Sequence, residues 1–157
     1  MKNLILGNRR NTKTELVLGC FEVASIPSLG ITNELAKIDT GAYSGAIHCT
    51  DIKVVRRGAE KRRILKFTPA GDPKLAAETE NFHETYIRSA TGHRIKRYII
   101  DTEIELHGKL YPIRIGLSDR TEMKRSILIG RRFLRENNVC VDVRINQELD
   151  NEGKNTE

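Results

Sequence analysis

One aspartate in this chain lies in a turn whose residues are suited to hydrolytic chemistry. Asp39, Thr40 and Gly41 follow the apolar, strand-like residues 36–38 and precede Ala42. Glycine allows a sharp backbone bend, and neighbouring peptide N–H and hydroxyl groups can hold a carboxylate in place. Two such carboxylates in contact cannot both ionise, so they share a proton and can activate a water molecule between them. By itself, the Asp-Thr-Gly tripeptide is also common in ordinary turns.

A pair of these carboxylates needs two chains, because Asp-Thr-Gly occurs once in this sequence. We therefore predict a homodimer whose two-fold axis passes between the two Asp39 carboxylates. Asp39 is the predicted acid and base, Thr40 would brace the two turns across the interface, and Gly41 would give backbone contact to a substrate. Catalysis and oligomeric state thus become one prediction.

A second segment of the sequence strengthens the prediction made from the Asp-Thr-Gly turn. Residues 126–134 read Ser-Ile-Leu-Ile-Gly-Arg-Arg-Phe-Leu, which predicts a short buried strand that breaks at Gly130 and a helix over residues 131–137. Between the two segments, residues 86–98 predict a hairpin, because Gly92 supplies the positive φ that a tight turn needs. An aspartate turn, a hairpin and a Gly-Arg helix therefore follow one another along the chain.

Strand signals dominate the rest of the sequence. Ile104 and Leu106 alternate with charged residues, the pattern of a half-buried strand. The polar stretch 69–80 is predicted to be a loop with room for a short helical turn. Predicted strands cover residues 16–26, 34–38, 46–49, 51–56, 62–68, 83–89, 94–106, 110–117, 127–129 and 139–145. We predict a mainly-β domain over residues 15–145 with one short helix, an N-terminal extension over residues 1–14 and a polar, frayed tail over residues 146–157.

Composition limits the function classes. The 157 residues are 31% charged and 38% hydrophobic, an ordinary soluble composition, and the net charge is +6. A basic surface can favour nucleic acid or an acidic peptide, but only 5% of residues are aromatic, so platforms for stacking bases are scarce. No apolar run has the length of a membrane span, and residues 1–13 lack a secretion signal. Three widely spaced cysteines fit a reducing cytoplasm better than a disulfide framework.

The order and spacing of these segments resemble those of retroviral-type aspartic proteases over residues 16–145. Residues 36–49, 88–92 and 117–123 resemble one bacterial branch, whose members are labelled ATP-dependent zinc proteases or RimK/LysX-associated retropepsin-like proteins. The resemblance implies a closed acid-protease barrel that acts as a peptide hydrolase on a peptide or protein. It also implies a link to ATP-grasp ligases that add amino acids such as glutamate to protein ends.

The resemblance assigns roles to particular residues. A flap with its tip at Ser89, Ala90, Thr91, Gly92 and His93 would cover the substrate. Ala42, Tyr43 and Ser44 would contact the substrate beside the catalytic turn, and Ile129, Gly130 and Arg131 would support that turn from below. The final strand, residues 139–145, would contribute to the dimer interface.

The sequence also departs from the family pattern. Many viral relatives carry a further Asp after the turn, which pairs with the Arg of the Gly-Arg helix, whereas Tyr43 and Ser44 stand here, so Arg131 must find another partner. The bacterial branch has small polar residues before its His, whereas Gly45 precedes residues 46–48 here. We therefore leave the substrate contacts near the turn open.

The zinc and ATP labels find no support in the residues. His83 and Glu84 begin a partial His-Glu-x-x-His motif, but the second histidine is missing. Cys49, Cys140, His48 and His93 show no ligand spacing, and no Gly-rich phosphate loop is present. We predict no metal and no cofactor.

Several alternatives stay open at this point. Arg94, Lys96, Arg97, Arg131 and Arg132 could line a cleft that attracts acidic peptides, or form a solvated face. His48 is predicted to have a packing or hydrogen-bonding role, and Cys49 to be a core residue. The competing functions are a non-catalytic peptide-binding module of the same fold that partners an ATP-grasp ligase, and, more weakly, a monomeric barrel that binds nucleic acid.

Overall fold

The structure, a computed structural model, describes Thr14 and residues 16–150. This part of the chain contains eleven β-strands and one α-helix, α1 (Arg131–Glu136). In chain order the strands are β1 (Leu16–Leu18), β2 (Phe21–Ile26), β3 (Ile31–Asp39), β4 (Ala46–Arg57), β5 (Arg62–Pro69), β6 (Ala77–Thr79), β7 (His83–Arg88), β8 (Arg94–Leu106), β9 (Lys109–Ser118), β10 (Ile127–Gly130) and β11 (Val139–Val141). Short 3-10 turns occupy Pro27–Leu29, Pro73–Leu75 and Gln147–Leu149.

Six strands close into a barrel. Their order around it is β10, β3, β2, β8, β9 and β4, and β10 pairs with β4 to complete the ring. Strand β10 is parallel to β3 and antiparallel to β4. It therefore lies between the strand that enters the Asp39 turn and the strand that leaves it. The predicted mainly-β barrel with one short helix is confirmed.

Branched aliphatic side chains fill the barrel. Successive side chains of a strand point to opposite faces, so alternate residues of each strand enter the interior. Ile104 and Leu106 are fully buried while the neighbouring Glu103 is exposed, as the alternation predicted. Phe133 and Leu134 of α1 are buried and belong to the same core cluster. Other fully buried members of that cluster are Leu18, Ile26, Ile47, Leu65, Ile115, Ile127 and Ile129.

The remaining strands extend the barrel at its edges. Strands β5 and β6 continue the sheet from β4, and β7 pairs with the first half of β8. Strands β1 and β11 form a separate parallel pair. Within the residues described, no helix is long and apolar enough to cross a membrane.

Most predicted elements are confirmed, and five differ from the structure. Residues 16–26, predicted as one strand, form β1 and β2, which belong to different sheets. Residues 46–56, predicted as two strands, form the single strand β4, and the predicted loop over residues 69–80 contains β6 as well as a 3-10 turn. The last strand ends at Val141, because Asp142 accepts the N–H of Arg144 and turns the chain. The predicted fraying is wrong for residues 146–150, where Asn146 Nδ2 donates to the carbonyl of Phe21 over 2.7 Å. Except for Thr14, the predicted extension and residues 151–157 of the tail lie outside the described residues.

Candidate active site

Asp39 is the last residue of β3, and its carboxylate is held at the start of the turn. Its Oδ1 accepts the N–H of Gly41 over 3.0 Å, and its carbonyl accepts the N–H of Ala42 over 3.2 Å. Gly130 of β10 is the register partner of Asp39. The structure thus brings together the aspartate turn and the Ile-Gly strand that lies about 90 residues downstream in the sequence. Asp39 is partly exposed, and Thr40 and Gly41 are exposed.

The rest of the turn is attached to the first residues of α1. The N–H of Arg131 donates to the carbonyl of Ala42 over 2.8 Å, and the N–H of Arg132 donates to the carbonyl of Tyr43 over 3.0 Å. Arg131 Nη1 donates to the carbonyl of Gly41 over 2.9 Å, and its guanidinium carbon lies 5.4 Å from the centroid of the Tyr43 ring. These contacts are the partner that the sequence left open for Arg131. Arg131 therefore supports the turn by binding a backbone carbonyl of the turn and by contact with an aromatic ring, and not through a second aspartate.

Two glycines let the turn and β10 approach closely. A Cβ atom on Gly130 would collide with the carbonyl oxygen of Tyr43 and lie 2.6 Å from the nitrogen of Gly45. A Cβ on Gly45 would collide with the carbonyl oxygen of Leu128, and its φ of +73° is a conformation that disfavours side chains. Gly45, which the sequence showed only as a departure from the family pattern, is therefore required by the local packing.

A cleft of about 280 Å³ opens beside Asp39. Its walls include Phe21, Met123 and Leu128, which give it an apolar part. Its charged lining has four basic residues, Lys37, Arg120, Lys124 and Arg125, and three acidic ones, Asp39, Glu122 and Asp150. A site of this kind can hold an extended chain by apolar contact, and its basic groups can bind negatively charged groups of that chain.

Arg120, which lines the cleft, and Arg97 of β8 are both half-buried. Burial lowers the pKa of the Arg97 guanidinium. Burial also lowers the pKa of Arg120, the positive charge of Arg97 lowers it further, and the negative charge of Asp39 raises it. Arg120 therefore lies within electrostatic range of both Arg97 and Asp39. In the sequence, Arg97 is one of several basic residues that could line a cleft, and no pattern singles out Arg120, although it lies within residues 117–123, which carry the family resemblance.

His48 holds the backbone of Arg120. Its Nδ1 accepts the N–H of Arg120 over 2.8 Å, and its own backbone N–H donates to the carbonyl of Ser126 over 2.7 Å. Arg120 Nε in turn donates to the carbonyl of Arg125 over 2.9 Å. The predicted hydrogen-bonding role of His48 is confirmed, and its effect is to fix the loop that carries Arg120.

The predicted flap tip is a well-formed turn with internal contacts. The N–H of Ser89 donates to the carbonyl of His93, Gly92 adopts a φ of +83°, and Ser89 Oγ lies 2.9 Å from Thr91 Oγ1. Ala90 is exposed, as are Thr91, Gly92 and His93. Among the described residues, no hydrogen bond or ion pair joins this tip to the Asp39 turn, so the structure brings the tip's residues to one another and not to the aspartate.

The other basic residues and the cysteines are accounted for by nearby groups. Arg94 lies 4.3 Å from the centroid of the Tyr86 ring, and Arg132 pairs with Glu136. Cys49 is fully buried, and burial raises the pKa of its thiol to about 12, which confirms it as a core residue. Across the part of the chain that the structure describes, no group of three or more His, Cys, Asp or Glu is placed to hold a metal ion.

Comparison with known families decides the relationship of the chain. A model of the RimB-like family, described as retropepsin-like aspartic endopeptidase RimB, matches residues 17–150. The chain belongs to this family. The resemblance predicted from the aspartate turn, the Gly-Arg helix and the bacterial segments is thereby confirmed.

Relatives and a solved structure add context. Over 131 residues the chain is 28% identical to a probable alpha-L-glutamate ligase of Shewanella pealeana, a match that covers 82% of this chain and 28% of that protein. A protein of the same name from Desulfotalea psychrophila is 28% identical over 118 residues, covering 73% and 25%. The chain therefore spans less than a third of the length of these curated relatives.

The crystal structure of a Legionella pneumophila protein of unknown function (DUF785) matches with a TM-score of 0.62 at 24% identity. The match covers 84% of this chain and 96% of that one. This likeness concerns the fold alone.

Proposed function

We propose that the protein is an aspartic-type peptide hydrolase whose active site is completed by a homodimer. The observation that carries the proposal is the geometry of Asp39, a partly exposed carboxylate that is oriented by the N–H of Gly41 at the mouth of a cleft. One chain supplies one such carboxylate. A two-fold axis beside the turn would bring the second, with Thr40 bracing the two turns.

In the proposed dimer, the two Asp39 carboxylates share one proton. The unprotonated carboxylate takes a proton from the water between them, and the water oxygen attacks the carbonyl carbon of the scissile peptide bond. The protonated carboxylate gives its proton to the carbonyl oxygen. When the tetrahedral gem-diol intermediate collapses, the protonated carboxylate gives its proton to the departing nitrogen, the other carboxylate takes a proton from one hydroxyl of the intermediate, and the C–N bond breaks. The products are a carboxylic acid and an amine, and the dyad again holds one proton, as at the start. The titration belongs to the pair rather than to either group.

The proposed substrate is a peptide or protein, and specifically a glutamate-rich tail of the kind that a ligase adds. Two observations support this choice. The cleft has four basic side chains against three acidic ones, one of which is Asp39 itself, and matched relatives carry the name alpha-L-glutamate ligase. Residues 89–93 would close over the bound chain as a flap, and Ala42, Tyr43 and Ser44 would contact it beside the dyad. Ile129, Gly130 and Arg131 would keep the turn in position.

The second candidate is a non-catalytic peptide-binding module that works with an ATP-grasp ligase. It is favoured by one specific observation, namely that the matched region is about a quarter of proteins named ligase. In that case the cleft would hold the acidic chain without cleaving it.

The test compares wild type with Asp39→Asn on poly-glutamate and on a denatured protein, across acid to neutral pH. Asp51→Asn is the matched control, because Asp51 is exposed on β4 and has a φ of +52°, which Asn tolerates. We expect Asp39→Asn to lower the cleavage rate by about 10²- to 10⁴-fold and Asp51→Asn to leave it unchanged. Sedimentation measurements determine whether the protein forms the proposed dimer. Equal cleavage by wild type and Asp39→Asn would refute the hydrolase proposal.

A further inference from the structure

We propose that Arg97 and Arg120 together form a carboxylate-binding subsite beside Asp39, which places one negatively charged group of the substrate next to the bond to be cleaved. This inference extends the proposed function and rests on it only in assuming that the bound peptide is cleaved. Binding of the carboxylate by the two arginines is a separate property, which can be measured without turnover.

Arg97 of β8 differs from the ion-paired arginines of the barrel in its surroundings. Several exposed arginines on the neighbouring strands are paired with carboxylates, as in Arg57 with Glu78 and Arg114 with Asp101. Arg97 is half-buried, and no hydrogen bond or ion pair of its side chain occurs within residues 16–150. Partial burial of a guanidinium without a counter-ion costs free energy. Among the described residues no fully buried side-chain nitrogen lacks a hydrogen bond, so the unpaired nitrogens of Arg97 remain in reach of solvent, and an anion from outside the chain can bind them and offset that cost.

The path of the Arg97 side chain directs it toward the active-site turn. A Cβ atom on Gly116 would lie 2.7 Å from Arg97 Cδ, so the side chain of Arg97 crosses β9 at a residue that has no side chain of its own. The N–H of Gly116 donates to the carbonyl of Gly45, the last residue of the loop between β3 and β4, over 3.4 Å. Gly116 therefore lets the side chain of Arg97 pack close to the loop that begins at Asp39.

Arg120 approaches the same place from the loop that follows β9. Its described hydrogen bond uses Nε, and neither Nη1 nor Nη2 has a hydrogen-bond partner among the residues described. Its side chain lines the cleft that contains Asp39. The positive charge of Arg97 acts on Arg120, and an anion between the two guanidinium groups would offset this repulsion.

A carboxylate is the anion that fits such a pair. A guanidinium presents a planar fork of donors that matches the two oxygens of a carboxylate, and two guanidinium groups can bind the two oxygens from two sides. Asp39 does not fill this role, since no hydrogen bond or ion pair joins it to Arg97 or Arg120 in the described part of the chain. The catalytic carboxylate therefore remains free for water while the arginines bind the substrate.

The bound carboxylate could belong to a glutamate side chain or to the C-terminus of the substrate, and a set of four peptides distinguishes them. The peptides carry Glu or Gln at every acidic position, and each is prepared with a free or an amidated C-terminus. The variants are Arg97→Gln and Arg120→Gln, with Arg57→Gln on the far hairpin as the control. Arg97→Lys and Arg120→Lys keep the charge and the stem, so they report on the planar fork even if a neutral variant folds poorly.

Two readouts separate the subsite from the hydrolase. The first is kcat/KM for each peptide, where we expect the preference for the charged peptide over its neutral counterpart to fall by about 10- to 100-fold in the two Gln variants, with the Arg57 control unchanged. The second is the affinity of labelled peptides for Asp39→Asn protein with and without the arginine substitutions, measured by fluorescence anisotropy. Loss of carboxylate-dependent affinity without any cleavage by wild type would support the subsite and refute the hydrolase.

The arms identify the source of the carboxylate. Tighter binding of the amidated Glu peptide than of the amidated Gln peptide assigns the subsite to a side chain, and dependence on the free C-terminus alone assigns it to the terminal carboxylate. The proposal is overturned if the arginine variants bind charged and neutral peptides with the same ratio as wild type does.

Discussion

Replacing Gly130 by alanine tests whether close backbone approach holds the catalytic turn in place. The added Cβ atom would meet the carbonyl oxygen of Tyr43 and the nitrogen of Gly45, and both are backbone atoms that cannot rotate away. Gly130 has a φ of −87°, which any residue can adopt, so the penalty is steric and contains no conformational part. Overpacking of this type costs about 1–3 kcal/mol, and we expect the upper end of that range because the contacts lie in the ring of the closed barrel.

Two matched glycines separate the steric penalty from the conformational one. A Cβ on Gly58 would have no atom within 4 Å, but its φ is +80°, so Gly58→Ala should cost only the conformational penalty of about 1–2 kcal/mol. Gly45 has both problems, so Gly45→Ala should be the most destabilising of the three substitutions. The expected order of stability loss is therefore position 45, then 130, then 58.

The assay is urea unfolding at one fixed protein concentration, because dimerisation would otherwise shift the midpoint. For a chain of this size, each kcal/mol of lost unfolding free energy lowers Tm by about 2–4 °C, so a thermal melt of Gly130→Ala should give a Tm about 6–12 °C below that of the wild type. Activity of Gly130→Ala on the poly-glutamate substrate should also fall, since the turn that carries Asp39 must move. A change of less than about 0.5 kcal/mol for Gly130→Ala would refute the reasoning, as that is the scale of an ordinary surface substitution.

Two further predictions concern groups outside the site. Burial raises the pKa of the Cys49 thiol to about 12, so a thiol reagent at pH about 8 should label exposed Cys140 at once and Cys49 only after unfolding. Peptide mapping by mass spectrometry identifies the labelled cysteine. Rapid labelling of Cys49 in the native protein would contradict its burial. Hydrogen bonds from Arg144 lower the pKa of Asp142 to about 2, below the unfolded value of about 3.9, so the stability that this contact contributes is present above about pH 4 and is lost as the pH falls through about 2. The urea midpoint of the wild type should therefore fall between pH about 5 and pH about 2 by more than the midpoint of Asp142→Asn does. If both proteins show the same fall, the contact between Asp142 and Arg144 does not contribute to the pH dependence of stability.

The fold could be predicted from the sequence because its signals are local or match a specific motif. The alternation of Ile104 and Leu106 indicated a strand directly, and Gly92 indicated a hairpin turn. The contact between the Asp39 turn and Gly130 followed from the family resemblance, since no local rule joins residues so far apart. Strand β6 was missed because its three residues carry no alternating pattern, and the last strand was drawn too long because the turn at Asp142 depends on one side-chain hydrogen bond.

The contents of the site were less predictable than its location. The partner of Arg131 is a backbone carbonyl, which has no residue type to search for. Arg97 and Arg120 differ from the other arginines by burial and by lack of a described anion partner, and both properties arise from tertiary packing. A chain with 27 lysines and arginines offers no local signal that separates a binding arginine from a solvated one.

The position of β10 determines at what stage of synthesis the proposed active site can form. This strand separates β3 from β4, and the two strands that flank the Asp39 turn therefore meet a partner that is made about 90 residues later. During synthesis the aspartate turn emerges early but has no β10 to pair with and no α1 to donate to its carbonyls. A growing chain therefore carries the Asp-Thr-Gly sequence before the turn has its folded geometry, and the proposed active site can form only after the C-terminal segment has folded into the barrel.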